Sequence, residues 1–173
     1  MCIRDSPKTE NLHRIELDEQ QRKLYPAAVV DAREKLRAAK PEDKMAVFAV
    51  LMRLREICCD PRLVADNWDG GSAKLEACME LVTAAVEGGH RILLFSQFTS
   101  MLELLAKRLD EAGVSHFTLQ GSTPKPVRAE LVRRFNSGEA DVFLISLRAG
   151  GTGLNLTAAD IVIHYDPWWN LSL

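Results

Sequence analysis

Apolar positions along this chain change their period from one half to the other. In the second half they come as short runs, RILLFS (residues 91–96), SHFTLQ (115–120), VFLIS (142–146) and IVIHY (161–165). The last two, rich in β-branched residues and flanked by turn formers, predict strands buried on both faces of a sheet. Between the runs the period is helical. Leu75, Cys78 or Met79, Val82 and Val86 form one stripe, Leu102, Leu105 and Leu109 a second, and Val127, Leu131 and Phe135 a third. Ser72 predicts an N-cap for the first helix, and a Ser100/Glu103 capping box opens the second. Thr123 is the expected N-cap of the third, with Pro124 at its first position. Gly88–Gly89, Gly113 and Gly138 stop the three helices in turn. Strand and helix alternate at βαβ spacing, which predicts an α/β fold: a parallel sheet with helices on both faces.

Upstream, residues 12–17 alternate apolar and polar and predict a short edge strand. Asp18 is the expected N-cap of a helix running to about Ala39, which Pro26 should kink or interrupt. Pro41 is expected to open a second helix ending at Asp60-Pro61, with Phe48, Leu51, Arg55 and Cys58 on one face. Residues 67–72, NWDGGS, are turn-rich and mark the best boundary. The expected organisation is a loose end over residues 1–10, a helical segment over 11–70 and an α/β lobe over 71–173.

Composition narrows the class. The 173 residues are 47% hydrophobic and 27% charged, the balance of a globular chain. A net charge of −2 gives no global nucleic-acid signature, so any DNA contact must come from a local patch. No apolar run approaches the ~20 residues of a membrane span, and the N-terminus has no signal-like apolar core. Cys2, Cys58, Cys59 and Cys78 form no CxxC pair and are read as reduced thiols of an intracellular protein. His164 is read as a packed strand residue, and His13, His90 and His116 give no metal spacing.

Right-handed crossovers bring the loops after the strands to one edge. That edge is expected to carry Ser96, Gln97 and Phe98, then Gly121, Ser122 and Thr123, then residues 146–155 and 166–170. Gly150, Gly151 and Gly153 leave loop N–H groups unshielded, which suits either a phosphate or a tight turn needing positive φ. Asn155 and Thr152 add side-chain hydrogen bonding there. The 121–123 turn opens a helix, where free N–H groups suit a phosphate and simple capping is the plainer reading. Lys125, Arg128, Arg133 and Arg134 make that helix the most basic region, either as a solvated face or as a DNA surface. Trp168 and Trp169 stand either as core cover or as a partner surface.

The stretch SLRAGGTGLNLTAADIVIHYDPWWN (146–170) is very similar to motif V and its extension in Swi/Snf-like ATPases of helicase superfamily two. RILLFSQFTSMLELLAKRL (91–109) resembles motif IV. LQGSTPKPVRAELVRRFN (119–136) and, more weakly, LMRLREICCDPRLV (51–64) extend the resemblance to about residues 51–170. It implies the C-terminal RecA-like lobe, a three-layer fold with a mainly parallel sheet, preceded by a helical segment. Such enzymes hydrolyse ATP between two lobes and translocate along double-stranded DNA. By this resemblance Gly151, Thr152, Gly153 and Asn155 belong to a nucleotide site shared with the first lobe. Ser96, Gln97, Gly121, Ser122, Thr123, Arg128, Ser146, Arg148, Trp168 and Trp169 belong to the DNA surface. Arg148 stands where the family usually carries lysine, and either cation meets a phosphate.

There is no GxxxxGK[ST] and no strand-borne Asp-Glu pair, parts the family places in its first lobe. The family's arginine fingers lie beyond the WWN tail. The expectation is therefore a fragment with no catalytic or metal residues of its own, inactive alone, whose ATP and Mg belong to the full-length enzyme. MCIRDS and the closing LSL match nothing in the family and look like foreign ends. The expected partners are duplex DNA and the first lobe, with no membrane, in the cytoplasm or nucleoid of a bacterium. Two rival readings are a small flavodoxin-like or dinucleotide-binding domain, although G-x-G-x-x-G is absent, and a non-catalytic interaction module.

Overall fold

The computed structural model describes residues 8–40, 43–150 and 153–167. Four parallel strands form one sheet in the order β2-β3-β1-β4. They are β1 (Ile92–Ser96), β2 (His116–Leu119), β3 (Val142–Ser146) and β4 (Ile161–His164). The strand period of two splits the apolar residues between the faces. Ile92, Leu94, Val142 and Leu144 turn to one core, roofed by α3 (Ala73–Glu87) and α4 (Thr99–Glu111). Leu93, Phe143 and Ile145 turn to the other, roofed by α5 (Lys125–Asn136), the short α6 (Leu147–Gly150) and the segment 154–159. Phe135 of α5 stacks on Phe143 at 5.2 Å, so this helix is anchored over the centre of the sheet.

α1 (Glu19–Ala38) and α2 (Lys44–Cys59) pack on each other and lead through a 3₁₀ turn (Pro61–Leu63) to α3. Asp18 and Gln21 form a full capping box at the start of α1. The helical segment is tied to the lobe by hydrogen bonds at both of its helices, among them one from the Arg55 guanidinium to the Pro167 carbonyl. The Cys59 carbonyl accepts the Tyr165 hydroxyl at 2.9 Å and the Ser72 hydroxyl at 3.3 Å, while the Ala73 N–H donates to Gln21 Oε1 at 3.3 Å. Cys59 thus shares the core of the lobe.

Several local expectations are corrected. Residues 12–17 form no strand and leave Leu12 and Ile15 exposed, because neither sheet edge pairs with them. Pro26 lies inside an unbroken α1, whose packing on α2 outweighs the hydrogen bond that proline cannot donate. α2 starts at Lys44, capped by Asp43, and Pro41 lies outside the described residues. Its buried side is Val50, Ile57 and Cys59, while Phe48 and Leu51 are exposed. α4 starts at Thr99 without a side-chain cap, so Ser100 and Glu103 form no box there. Instead the Ser96 hydroxyl accepts the Phe98 N–H at 3.2 Å. α5 starts at Lys125 with Pro124 at the cap position, and Thr123 Oγ1 turns back to accept the Gln120 N–H at 3.0 Å. Val127 is exposed rather than inward. β4 is an edge strand, half-buried on one face and open on the other at Val162 and His164. The residues right after β3 are helical instead of loop.

Candidate functional site

The carboxyl ends of the strands gather polar groups, as βαβ topology requires. At the end of β1, Ser96 is fully buried and its hydroxyl donates to Asp166 Oδ1 at 2.5 Å. The Gln97 N–H donates to the other oxygen of the same carboxylate at 3.1 Å. Asp166, itself buried, therefore fixes the β1–α4 turn. Gln97 is left half-buried, with a buried Nε2 that has no partner among the described residues.

After β2, Gly121 and Ser122 are exposed and Thr123 is half-buried. Arg128 folds back beneath this turn. Its Nε donates to the Thr123 carbonyl at 2.8 Å, and its Nη2 donates to those of Gly121 at 2.8 Å and Gln120 at 3.2 Å. The resemblance assigns this residue to the DNA surface, and in the structure its guanidinium shapes the turn. Arg133 and Arg134 are likewise engaged, each at 2.6 Å, with Glu130 and Glu139. Helix α5 is thus less basic at its surface than its sequence reads. Lys125 and Arg148 are exposed and make no ion pair among the described residues.

After β3, Ser146 is buried and its hydroxyl accepts the Ala149 N–H at 3.3 Å, capping α6. The hydroxyls of Ser96 and Ser146 therefore shape this edge from inside. Gly150 packs against Phe95, whose ring carbon lies 2.9 Å from where a Cβ would stand, so no larger residue fits there without a shift. Gly153 has φ +69° and is exposed, as is Asn155. Gly151, Thr152, Trp168 and Trp169 lie outside the described residues.

One part of the single-edge expectation changes. The Asn155 carbonyl accepts from Asn136 Nδ2 at 2.9 Å, and the Ala158 N–H donates to Asn136 Oδ1 at 3.2 Å. Asn136 closes the C-terminal end of α5, whereas residues 121–123 precede its N-terminal end. Twelve helical residues span about 18 Å, so Asn155 and the 121–123 turn lie at opposite ends of one helix. Asn136 is the site residue that motif reading missed, while Asp166, expected on this edge, had no stated role there. Each acts on backbone groups distant in sequence, which neither motif nor period signals.

Among the described residues no group of three or more His, Cys, Asp or Glu is placed to hold a metal. No helix among them is long and apolar enough to cross a membrane. His90 pairs with Asp160 at 2.6 Å, and this hydrogen bond holds the Asp160 carboxyl below its ordinary range. His164 stacks on Phe95 at 5.3 Å. Burial pushes the Cys59 and Cys78 thiols up to about 12, which leaves them protonated and inert at neutral pH. An open groove between α3 and α4, lined by Glu76, Glu80, Glu87, Arg108 and Glu111, contains none of the site residues.

The helicase conserved C-terminal domain matches residues 73–173. The chain is 36% identical over 170 residues to a putative ATP-dependent helicase/translocase YwqA of Bacillus subtilis, covering 94% of this chain and 18% of that protein. It is 33% identical over 177 residues to the mouse SWI/SNF-related matrix-associated actin-dependent regulator of chromatin subfamily A member 1, covering 95% and 17%. It therefore spans less than a fifth of the curated relatives it matches. Among solved structures it is similar to the Sulfolobus solfataricus SWI2/SNF2 ATPase C-terminal domain, at TM-score 0.79 and 27% identity over 91% of this chain and 71% of that one. It is equally similar to the ATPase core from the same organism in complex with dsDNA, at TM-score 0.79 and 26% identity over 90% of this chain and 34% of that one.

Proposed function

Because the chain belongs to the helicase conserved C-terminal domain family, we propose that it serves as the C-terminal RecA-like lobe of a Swi/Snf-type motor that moves on double-stranded DNA at the expense of ATP. The likeness to an ATPase core solved with duplex DNA carries this reading.

In it, the exposed 121–123 turn presents backbone N–H groups and the Ser122 hydroxyl to a DNA phosphate. Arg148 and Lys125 supply exposed positive charge at the same end of the sheet. Gln97 belongs to this reading through the half-buried β1–α4 turn, and the resemblance assigns Trp168 and Trp169 to the same DNA role. Ser96 and Ser146 act from beneath, each holding the turn it belongs to.

Gly151, Thr152, Gly153 and Asn155 form this lobe's share of a nucleotide site completed by a first lobe. ATP is the substrate of the joined lobes. Magnesium enters this site with the ATP, whose phosphates supply part of its coordination. Closure on ATP draws the glycine loop towards the first lobe while the 121–123 turn holds the DNA backbone. Repeated closure steps the protein along the duplex. A DNA-facing location in the cytoplasm or nucleoid is part of the same proposal.

The test is ATP hydrolysis with and without duplex DNA, by this chain and by the longer gene product that contains it. Turnover stimulated by DNA in the long protein, with silence in the short one, is the expected result. A long protein indifferent to DNA would return the lobe to the class of binding scaffolds.

A further inference from the structure

We infer that α5 is a strut coupling the DNA-facing turn to the glycine loop, with Arg128 and Asn136 as the positioning residues at its two ends. The inference rests on the functional reading above and deepens it. At the N-terminal end, a single guanidinium gathers the carbonyls of Gln120, Gly121 and Thr123. With those oxygens drawn inward, the turn is held in one shape and fastened to the first turn of α5. At the C-terminal end, the Asn136 amide uses both of its polar atoms on one segment. Nδ2 donates to the Asn155 carbonyl and Oδ1 accepts the Ala158 N–H. Two bonds three residues apart fix the position of the segment and also its direction.

The helix between these clamps is suited to transmit displacement. Its inner side is seated on the sheet by Phe135, which is fully buried, and by the half-buried Leu131 and Val132. An α-helix changes length only by breaking its hydrogen bonds, so a shift at one end moves the other. The segment held by Asn136 carries Gly153 in the left-handed region, and among the described residues it meets the core through the partly buried Leu154, Leu156, Ala158 and Ala159. A stiff helix clamped to two turns, each on a different ligand, is a physical route for coupling.

Coupling between two ligands is a ratio, and the ratio separates positioning from mere stability. The affinity of the full-length enzyme for a labelled DNA duplex is measured with and without a non-hydrolysable ATP analogue and magnesium. The quotient of the two dissociation constants is the coupling factor, commonly about 5-fold or more where two sites communicate. Asn136→Ala is expected to collapse this factor towards one. A purely structural Asn136 would weaken the affinities and leave their quotient as it was. Asn136→Asp keeps the acceptor for Ala158 and removes the donor for Asn155. Arg128→Lys keeps the charge and loses the fork, and both variants are expected to lower the factor. They decide the matter if Asn136→Ala does not fold.

An unchanged factor in the folded variants overturns the strut. A factor of one in the unaltered enzyme, with DNA bound, also overturns it while sparing the proposed function. Absence of DNA binding in the unaltered enzyme sinks the proposed function itself.

Discussion

Ser96 and Asp166 stand 70 residues apart in sequence and meet at 2.5 Å, hydroxyl to carboxylate, where β1 and β4 end side by side. Both are buried, and the second carboxylate oxygen takes the Gln97 N–H. One charge thus satisfies two donors that would otherwise be stranded beneath the candidate DNA surface. Removing one partner of a buried hydrogen bond costs more than the bond contributes, because the remaining group keeps its desolvation penalty. Asp166→Ala is expected to destabilise the full-length protein by about 2–3 kcal/mol in urea unfolding. Asp166→Asn, which preserves shape and one acceptor, should cost less. A loss under ~0.5 kcal/mol for the alanine variant would show that water replaces the carboxylate and that the turn does not depend on it.

Arg128 separates two kinds of DNA residue. A cation that neutralises a phosphate releases counterions, so its removal lowers the salt slope of log K by about 1. The family resemblance predicts that flattening for Arg128→Ala. In the structure its guanidinium is committed to backbone carbonyls. The expected result is therefore weaker binding at every salt concentration, with the slope retained. Arg148→Ala, which removes an exposed cation, is the comparison that should flatten it. Titration of a labelled duplex over a range of salt concentrations reads both, and a flattened slope for Arg128→Ala would make it a direct phosphate ligand.

The lobe was legible in the sequence because its strands are short apolar runs and its helices carry single stripes, patterns that one face of one sheet imposes. Leu75, Leu102, Leu105, Leu109 and Phe135 all take the buried places their spacing predicts. The helical segment was harder to read. α2 is apolar on nearly all sides, so Phe48 and Leu51 looked as good a core face as Val50 and Ile57, and tertiary contact made the choice. Capping was misplaced by a few residues at Ser100 and Thr123, since the serine or threonine that bonds the turn lies outside the helix in both cases. Of the candidate site, the motifs gave the surface turns. The groups that hold those turns, Asp166 and Asn136, bond across 70 and 19 residues and leave no local trace.

Arg108 and Glu76 bridge α4 and α3 through two contacts, at 2.5 and 2.8 Å. The hydrogen bond from Arg108 holds the Glu76 carboxyl below its ordinary value of 4.5. A carboxyl depressed in the folded state binds fewer protons there than in the unfolded chain as acid is added. The stability it contributes is therefore complete above that ordinary value and is lost as pH falls through the folded-state range. The Glu76 side chain is 53% exposed, so solvent screening limits the effect to no more than about 1 kcal/mol. Glu76→Gln should lower the unfolding midpoint slightly at neutral pH, and the gap from the unaltered protein should close as pH falls through the folded-state range. High salt should narrow it at neutral pH as well, since an exposed pair is screened. Thermal unfolding of both proteins at two pH values and two salt concentrations measures this. A gap that survives acid would assign the role of Glu76 to packing along α3 rather than to its charge.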